Sequence, residues 1–332
     1  MRRPALALSL TLPIVALAGC AAPAPEPDDG RISVVASTNV YGDIAARVGG
    51  DLVEVTSIVT GAAQDPHSYE ASAQDQLAIA GAELVIENGG GYDPFVDALL
   101  EASGNEDAVV LDASEISGLV PEGAEAEGHD HEDGEEHDHE EADEEVHEDE
   151  HGHEGPSHIE GFNEHVWYDF GVIDELAGEI EDILSLLDPA SEELFERNHD
   201  AFDDALEAID DRAHALRAQW SGTPVAVTEP VALYLFEDLG LVNRMSAEFT
   251  QAIEEGSDVP PLVLQDALAV VRSGIALLAV NAQTASPETA QLEAAATAAG
   301  VPIVSLTETL PGDRDYLGWM SDNLAALEAA LA

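Results

Sequence analysis

The chain has 332 residues, a length that corresponds to about two domains. It contains 69 aspartates and glutamates but only 10 basic residues, all of them arginine, and its formal net charge is −59. A surface of this charge repels polyanions, so nucleic-acid binding and simple electrostatic docking on anionic lipid are excluded. The single cysteine excludes an intrachain disulfide framework and a zinc site built from several cysteines. Without lysine, the chain also lacks the phosphate-binding loop that ATP hydrolysis requires.

The N-terminal residues have the pattern of an export signal. Two arginines precede an apolar run over Ala5–Ala18, which is too short for an ordinary membrane span and has the length of a signal-peptide core. The run ends in Leu-Ala-Gly-Cys at Cys20, which resembles the bacterial lipoprotein cleavage box. We expect a signal peptide over residues 1–19, lipid attachment at Cys20 and a flexible tether over residues 20–31. The protein would then be extracytoplasmic and held at the cell membrane by its lipid. A conventional signal peptide is the alternative.

Short apolar runs alternate with helical patterns along the rest of the chain. Such nearly unbroken apolar runs are typical of parallel strands that are covered on both faces. The alternation predicts the α/β class, with two lobes that each contain a parallel sheet flanked by helices. Strands are predicted at Ile32–Ser37, Val53–Val59, Glu83–Ile86, Val109–Leu111, Pro224–Thr228, Leu277–Asn281 and Pro302–Leu306. Helices between them are predicted at Asp43–Val48, Asp75–Ala80 and Pro94–Glu101.

One helical pattern is much longer than the others. It runs from Ser191 to Trp220 without interruption, directly after a break at Pro189. Thirty helical residues span about 45 Å, which is long enough to bridge two domains. We therefore predict an N-terminal lobe over residues 32–188, a rigid linking helix over 189–221 and a C-terminal lobe over 222–332.

An acidic, histidine-rich segment interrupts the N-terminal lobe. Between Glu122 and Glu154 it contains 18 acidic residues and seven histidines but no aromatic residue, and His158 follows. Such a composition cannot bury enough apolar surface to order itself, so a disordered loop is predicted over residues 122–158. Histidines two positions apart chelate transition metals weakly, and the acids concentrate cations nearby. A solvated acidic run with incidental histidines is the alternative. The auxiliary metal loop would use His129, His131, His137, His139, His147, His151, His153 and His158.

Four polar motifs lie just after predicted strands or just before a helix. Loops at the carboxyl ends of parallel strands are where α/β proteins bind ligands. Two imidazoles and two carboxylates that converge there would hold one divalent transition metal, because imidazole suits zinc and carboxylate adds tolerance for manganese. Spacing alone also allows surface histidines and glutamates that cap helices. The motifs cover residues 65–70, 163–169, 228–230 and 307–311.

These motifs, taken together, resemble the metal-binding lipoproteins of ABC-type zinc and manganese importers, the solute-binding family of cluster A-I with a rigid linking helix. The resemblance extends over residues 32–332. It implies a protein that is not an enzyme, that binds a divalent metal between its lobes as a monomer, and that delivers the metal to an ABC permease. The matching stretches are residues 36–41, 65–70, 87–95, 163–169 and 228–235.

The resemblance also implies the ligands. The family takes one histidine after the second strand, a second at the start of the helix after the acidic loop, a third ligand at the opening of the C-terminal lobe and an acidic fourth near the C-terminus. The matching positions are His67, His165, Glu229 and Glu308. Glutamate replaces the family's usual aspartate at the fourth position, which leaves rivals for it. These are Asp313 and Asp315 and, less directly, Glu255 and Asp258.

Two features give opposite indications about the metal. The third ligand is glutamate in many manganese-binding members, so Glu229 favours Mn²⁺. A histidine-rich loop before the second histidine is frequent in zinc-binding members. Zinc also accepts carboxylate oxygen and outcompetes manganese at most nitrogen and oxygen sites. We therefore expect Zn²⁺, with Mn²⁺ or iron as the alternative.

Two functions of other classes remain open. A metallohydrolase would need an open coordination position and a general base, for which Glu164 or Glu70 could serve, but the chain has no His-Glu-x-x-His motif. A metal-buffering protein with a role in cell adhesion would share all the features above.

Overall fold

The first lobe is built on a parallel sheet. In the computed structural model, which describes residues 30–61, 64, 66–121, 159 and 161–332, four strands pair in the order β2-β1-β3-β4. Strands β1 and β3 are almost wholly buried, as their unbroken apolar sequences predict. The strands are β1 (Ile32–Thr38), β2 (Val53–Val59), β3 (Leu84–Glu87) and β4 (Val109–Asp112). The predictions for the signal peptide over residues 1–19, for lipid attachment at Cys20, for the tether up to residue 29 and for residues 122–158, including all eight loop histidines, lie outside the described residues.

Five helices cover this sheet or follow it, and side-chain caps mark the start of three of them, Ser72, Asp112 and Asp169 being the capping residues. At the start of α2, the side chain of Ser72 accepts hydrogen bonds from backbone amides. The side chain of Asp75 accepts one from the backbone amide of Ser72, which completes a capping box. Asp169, the last residue of the motif that contains His165, caps α5 by accepting hydrogen bonds from two backbone amides. The helices are α1 (Asn39–Gly49), α2 (Ala73–Ala80), α3 (Phe95–Ser103), α4 (Ala113–Ser117) and α5 (Phe170–Leu187).

A single helix, α6 (Glu192–Trp220), connects the lobes. Its 29 residues bury one apolar face, and it contacts α1 and α5 of the first lobe. Further along, it contacts the second lobe, where Arg212 pairs with Glu328 at 2.8 Å. One hydrophobic core accordingly contains Val34 from the first sheet, Phe202 from α6 and Val225 from the second sheet. Among the described residues, no helix is long and apolar enough to cross a membrane.

The second lobe repeats the architecture with strand order β6-β5-β7-β8, again parallel. The fold class predicted from the sequence is therefore confirmed. Strand β6 was not predicted, because it has only two residues and no apolar run marks it. The strands are β5 (Pro224–Val227), β6 (Val242–Asn243), β7 (Leu278–Asn281) and β8 (Ile303–Leu306). The helices are α7 (Leu233–Asp238), α8 (Ala247–Glu254), α9 (Pro261–Arg272), α10 (Pro287–Ala299) and α11 (Tyr316–Leu331).

Buried carboxylates gather at the carboxyl end of the first sheet. Glu87 ends β3 and lies beside Asp112 of β4 in the strand register. Burial, followed by the charge of Asp93 and other neighbouring acids, raises the pKa of Glu87 to about 9. Burial likewise raises the pKa of Asp112 to about 7. The folded chain therefore holds a proton on Glu87 at neutral pH.

Because Glu87 is protonated in the folded chain, we expect the free energy of unfolding of the metal-free protein to depend on pH. The unfolded chain ionises Glu87 near its ordinary pKa of 4.5, so the free energy of unfolding falls as the pH rises from about 5 to 9. Glutamine mimics the protonated group. We expect Glu87→Gln to raise the free energy of unfolding by about 2 kcal/mol at pH 8 and to change it little at pH 5. Urea denaturation at both pH values measures this, with the exposed Glu101→Gln as control. An equal effect at both pH values would contradict the assignment.

Candidate metal centre

His67 lies in a short helical turn, Pro66–Ser68, that follows β2. Its side chain is 8% exposed, so it is buried in the cleft and does not lie on the surface. The ring packs edge-on against Tyr92, with the centroids 4.7 Å apart. This contact orients the imidazole toward the second histidine, whose ring centroid is 6.3 Å away.

His165 precedes a second short turn, Val166–Tyr168, and is 1% exposed. Its Nδ1 lies 2.8 Å from Asn163 Oδ1. Asn163 in turn contacts the second lobe: its Nδ2 donates to the backbone carbonyl of Pro230, and its backbone carbonyl accepts from the hydroxyl of Tyr234. An Nδ1–H that donates to Asn163 leaves Nε2 as the unprotonated nitrogen, and an unprotonated imidazole nitrogen is the one that can bind a metal. The asparagine therefore fixes both the tautomer and the orientation of the His165 ring.

Glu308 follows β8 and is 3% exposed. Its carboxylate accepts hydrogen bonds from the hydroxyl of Tyr92 at 3.1 Å and from the amide of Asn281 at 2.5 Å. Burial, followed by the charge of Glu308, raises the pKa of Tyr92 well above its ordinary value, so the phenol stays neutral and donates. Because Tyr92 belongs to the first lobe, this bond joins the two lobes at the site.

Glu229 follows β5 and is 4% exposed. Its carboxylate accepts from the amide of Asn281 at 2.9 Å and from the hydroxyl of Thr284. A single asparagine at the end of β7 thus donates to both carboxylates of the second lobe, Glu229 and Glu308.

Three of the four predicted ligands converge. His67, His165 and Glu308 each offer one ligand atom, and these atoms lie within 4.8 Å of one another. We call them the inner triad. Glu229 belongs to no such group among the described residues, although Asn281 connects it to Glu308.

The rivals for the fourth position lie elsewhere. Asp315 caps α11 and pairs with Arg47. Asp313, Glu255 and Asp258 are exposed. None of the four joins a metal-binding group within the part of the chain that the structure describes.

The structure adds a carboxylate that the sequence reasoning missed. Glu254, the last residue of α8, places Oε1 3.6 Å from His165 Nε2. With His67 and Glu164 it forms a second group whose ligand atoms lie within 4.8 Å of one another, which we call the cavity triad. Helical spacing could have identified it, because the buried Thr250 lies four residues earlier on the same face, whereas the neighbouring Glu255 points outward.

The electrostatics of this region favour a cation. Burial, followed by the charges of Glu164, Glu229 and Glu308, raises the pKa of Glu254 to about 10. Four buried carboxylates around two imidazoles repel one another unless protons or a cation compensate for them. Nitrogen and oxygen donors of this kind fit Zn²⁺ and also Mn²⁺.

The fold and the donor set define a two-lobed metal-binding protein of the solute-binding class. The chain belongs to the family described as zinc-uptake complex component A, periplasmic (ZnuA), which it matches over residues 34–330. Membership of this family confirms the resemblance found in the sequence and the expectation that the chain is not an enzyme.

Relatives with curated names bind zinc or manganese. The chain is 28% identical over 308 residues to the zinc-binding lipoprotein AdcA of Streptococcus pneumoniae serotype 4, covering 90% of this chain but only 56% of AdcA. Over a shorter stretch of 90 residues it is 33% identical to the manganese ABC transporter substrate-binding lipoprotein PsaA of Streptococcus anginosus, covering 27% of this chain and 29% of PsaA. The chain thus spans little more than half the length of AdcA.

Solved structures show the same fold. The crystal structure of ZnuA superposes with a TM-score of 0.65 at 20% identity, covering 91% of this chain and 99% of ZnuA. The periplasmic zinc-binding protein TroA from Treponema pallidum superposes with a TM-score of 0.66 at 18% identity, covering 91% of this chain and all of TroA.

Proposed function

We propose that this chain is the extracytoplasmic solute-binding protein of an ABC importer, and that it captures Zn²⁺ between its lobes for delivery to the permease. The observation that carries the proposal is the inner triad, in which buried donors from both lobes come within 4.8 Å of one another. Two imidazoles from the first lobe and one carboxylate from the second provide the mixed donors that a transition metal requires.

The proposed ligands are His67, His165, Glu229 and Glu308. Asn281 supports the inclusion of Glu229, because its amide donates to both carboxylates and keeps them as a pair. Such donors behind the ligands orient them and raise metal affinity. Release would begin with the loss of the two carboxylates, which belong to the same lobe and can move together away from the histidines.

Zinc is the proposed cargo for two reasons. The family is named for zinc uptake, and the histidine-rich segment of residues 122–158 carries imidazoles that suit zinc better than manganese. Two carboxylate ligands support Mn²⁺ as the second candidate. Lipid attachment at Cys20 would hold the protein at the cell membrane, close to the permease, and the curated relatives AdcA and PsaA are themselves lipoproteins.

Delivery follows from the architecture. The shared core along α6 opposes a wide opening of the lobes, so the proposal is a small tilt between open and metal-bound forms. The permease would recognise the metal-bound form by the arrangement of the two lobes.

Deleting residues 122–154 tests whether this segment provides only weak zinc sites and the cleft provides the tight one. In the soluble form that starts at Ala21, we expect the deletion to leave one tight Zn²⁺ equivalent and to remove several weak ones, because a chelating chain segment without a preformed cage must lose chain entropy on binding. Competitive titration with Zn²⁺ and Mn²⁺, with the bound metal identified by mass spectrometry, measures both.

A matched variant separates chelation from charge. Changing only the seven histidines between residues 122 and 154 to asparagine keeps the acidic residues, so it should remove the weak zinc sites as the deletion does. Absence of any tight equivalent in the deletion variant would refute the proposed function. Tight Mn²⁺ with easily displaced Zn²⁺ would reassign the cargo to manganese.

A further inference from the structure

The cavity triad shares one residue with the inner triad. His67 belongs to both, whereas Glu164 and Glu254 belong only to the cavity triad. Glu254 Oε1 lies 3.6 Å from His165 Nε2, so the two triads are in contact. A metal ion that exchanges Glu164 and Glu254 for His165 and Glu308 therefore keeps His67 as a ligand throughout.

Glu254 is built into this position. Its side chain is 9% exposed, and its buried Oε1 accepts no hydrogen bond from the part of the chain that the structure describes. The carboxylate of Glu308, by contrast, accepts from Tyr92 and Asn281. Ligands supported by such donors hold metal more tightly than unsupported ones. The inner triad is thus the resting position, and the cavity triad is the weaker one.

Glu164 and Glu254 also line a cavity of about 500 Å³ between the lobes. Gly161 and Gln251 in the same lining are exposed, so the cavity communicates with solvent. Ile159 lines it as well, directly after the histidine-rich segment that ends at residue 158. Neither His165 nor Glu308 is part of this lining. The two glutamates therefore stand between the solvent-connected cavity and the inner triad.

We propose that His67, Glu164 and Glu254 form a transfer site through which a divalent transition metal passes between the cavity and the inner triad. The step is ligand exchange without oxidation or reduction: the bonds from the metal to Glu164 and Glu254 break as the bonds to His165 and Glu308 form. The inference rests on the proposed function, because it requires a tight site at the inner triad.

Variants that neutralise Glu164 or Glu254 test the transfer site through the rate constants of Zn²⁺ association and dissociation. In the full chain, Glu254→Gln and Glu164→Gln should lower the association rate constant for Zn²⁺ by about tenfold and lower the dissociation rate constant by a similar factor, so that the dissociation constant changes little. Stopped-flow tryptophan fluorescence can follow both rates, because the Trp167 ring lies 5.1 Å from the His165 ring.

Glu255→Gln is the matched control. It removes the same charge one residue away, from an exposed side chain that does not line the cavity. Association in the Glu254 and Glu164 variants as fast as in Glu255→Gln would overturn the inference. So would a weaker equilibrium affinity at an unchanged association rate, because that result makes Glu254 a ligand of the resting site. Absence of tight Zn²⁺ binding in the unaltered chain would instead refute the proposed function.

Discussion

Replacing His165 by alanine is expected to weaken Zn²⁺ binding by about a thousandfold. The side chain is 1% exposed, Asn163 Oδ1 lies 2.8 Å from its Nδ1, and one ligand atom of its ring lies within 4.8 Å of ligand atoms of His67 and Glu308. Alanine removes one of the two imidazoles, and the remaining carboxylates bind zinc less well than nitrogen donors do. Competition against a chelator of known zinc affinity measures the change.

His199→Ala is the control for this loss. His199 also pairs with an acidic side chain, Glu181 at 3.0 Å, but it lies on α6, which carries no residue of either triad. We expect its zinc affinity to match that of the unaltered protein. Circular dichroism melting of both variants checks that each still folds. Unchanged affinity in a folded His165→Ala protein would refute the assignment of the inner triad.

The second large effect concerns Asn281, which binds no metal in our proposal. Leucine has a similar volume but donates no hydrogen bond, so Asn281→Leu leaves the buried carboxylates of Glu229 and Glu308 without this donor. Hydrogen bonds to charged groups contribute about 1.5–3 kcal/mol each, and we expect the metal-free protein to lose about 3 kcal/mol of unfolding free energy. Urea denaturation with and without Zn²⁺ measures this loss and the extent to which the metal restores stability.

A matched asparagine separates this effect from loss of packing. Asn323 is also buried, but its amide faces the hydroxyl of Tyr168 and the sulfur of Met320, which are neutral. Asn323→Leu should therefore cost less stability and leave zinc affinity unchanged. Equal losses in the two variants would show that the carboxylates do not depend on Asn281.

Apolar runs predicted the sheets because parallel strands are buried on both faces, and β2 was predicted with the bounds that the structure has. Strand β3 ends at Glu87, one residue beyond the predicted end at Ile86. Burial keeps the Glu87 carboxyl group neutral, so this residue can continue the strand beside Asp112. Strand β6 has no sequence signal of its own, since its two residues are placed by pairing with β5.

The candidate site could be predicted where its residues belong to compact sequence motifs. His67 and His165 stand in such motifs, and the structure brings them together with Glu308. Glu254 has no motif, and its position in the cleft follows from the packing of α8, whose Phe249 and Ile253 share a hydrophobic cluster with Ala226 of the second sheet. Asn281 stands in the sequence only as the end of a predicted strand, because its contacts with the two glutamates lie 52 and 27 positions away and no local pattern encodes them.

The continuous core along α6 has a consequence for how the chain responds to its cargo. Val34, Phe202 and Val225 belong to one hydrophobic cluster, so neither sheet can lose its packing without exposing part of the other. Ligand binding stabilises the folded state by an amount that grows with the logarithm of ligand concentration. A metal ion held by a few side chains in the cleft would therefore stabilise both sheets at once, and the metal-free protein would unfold more easily in both lobes.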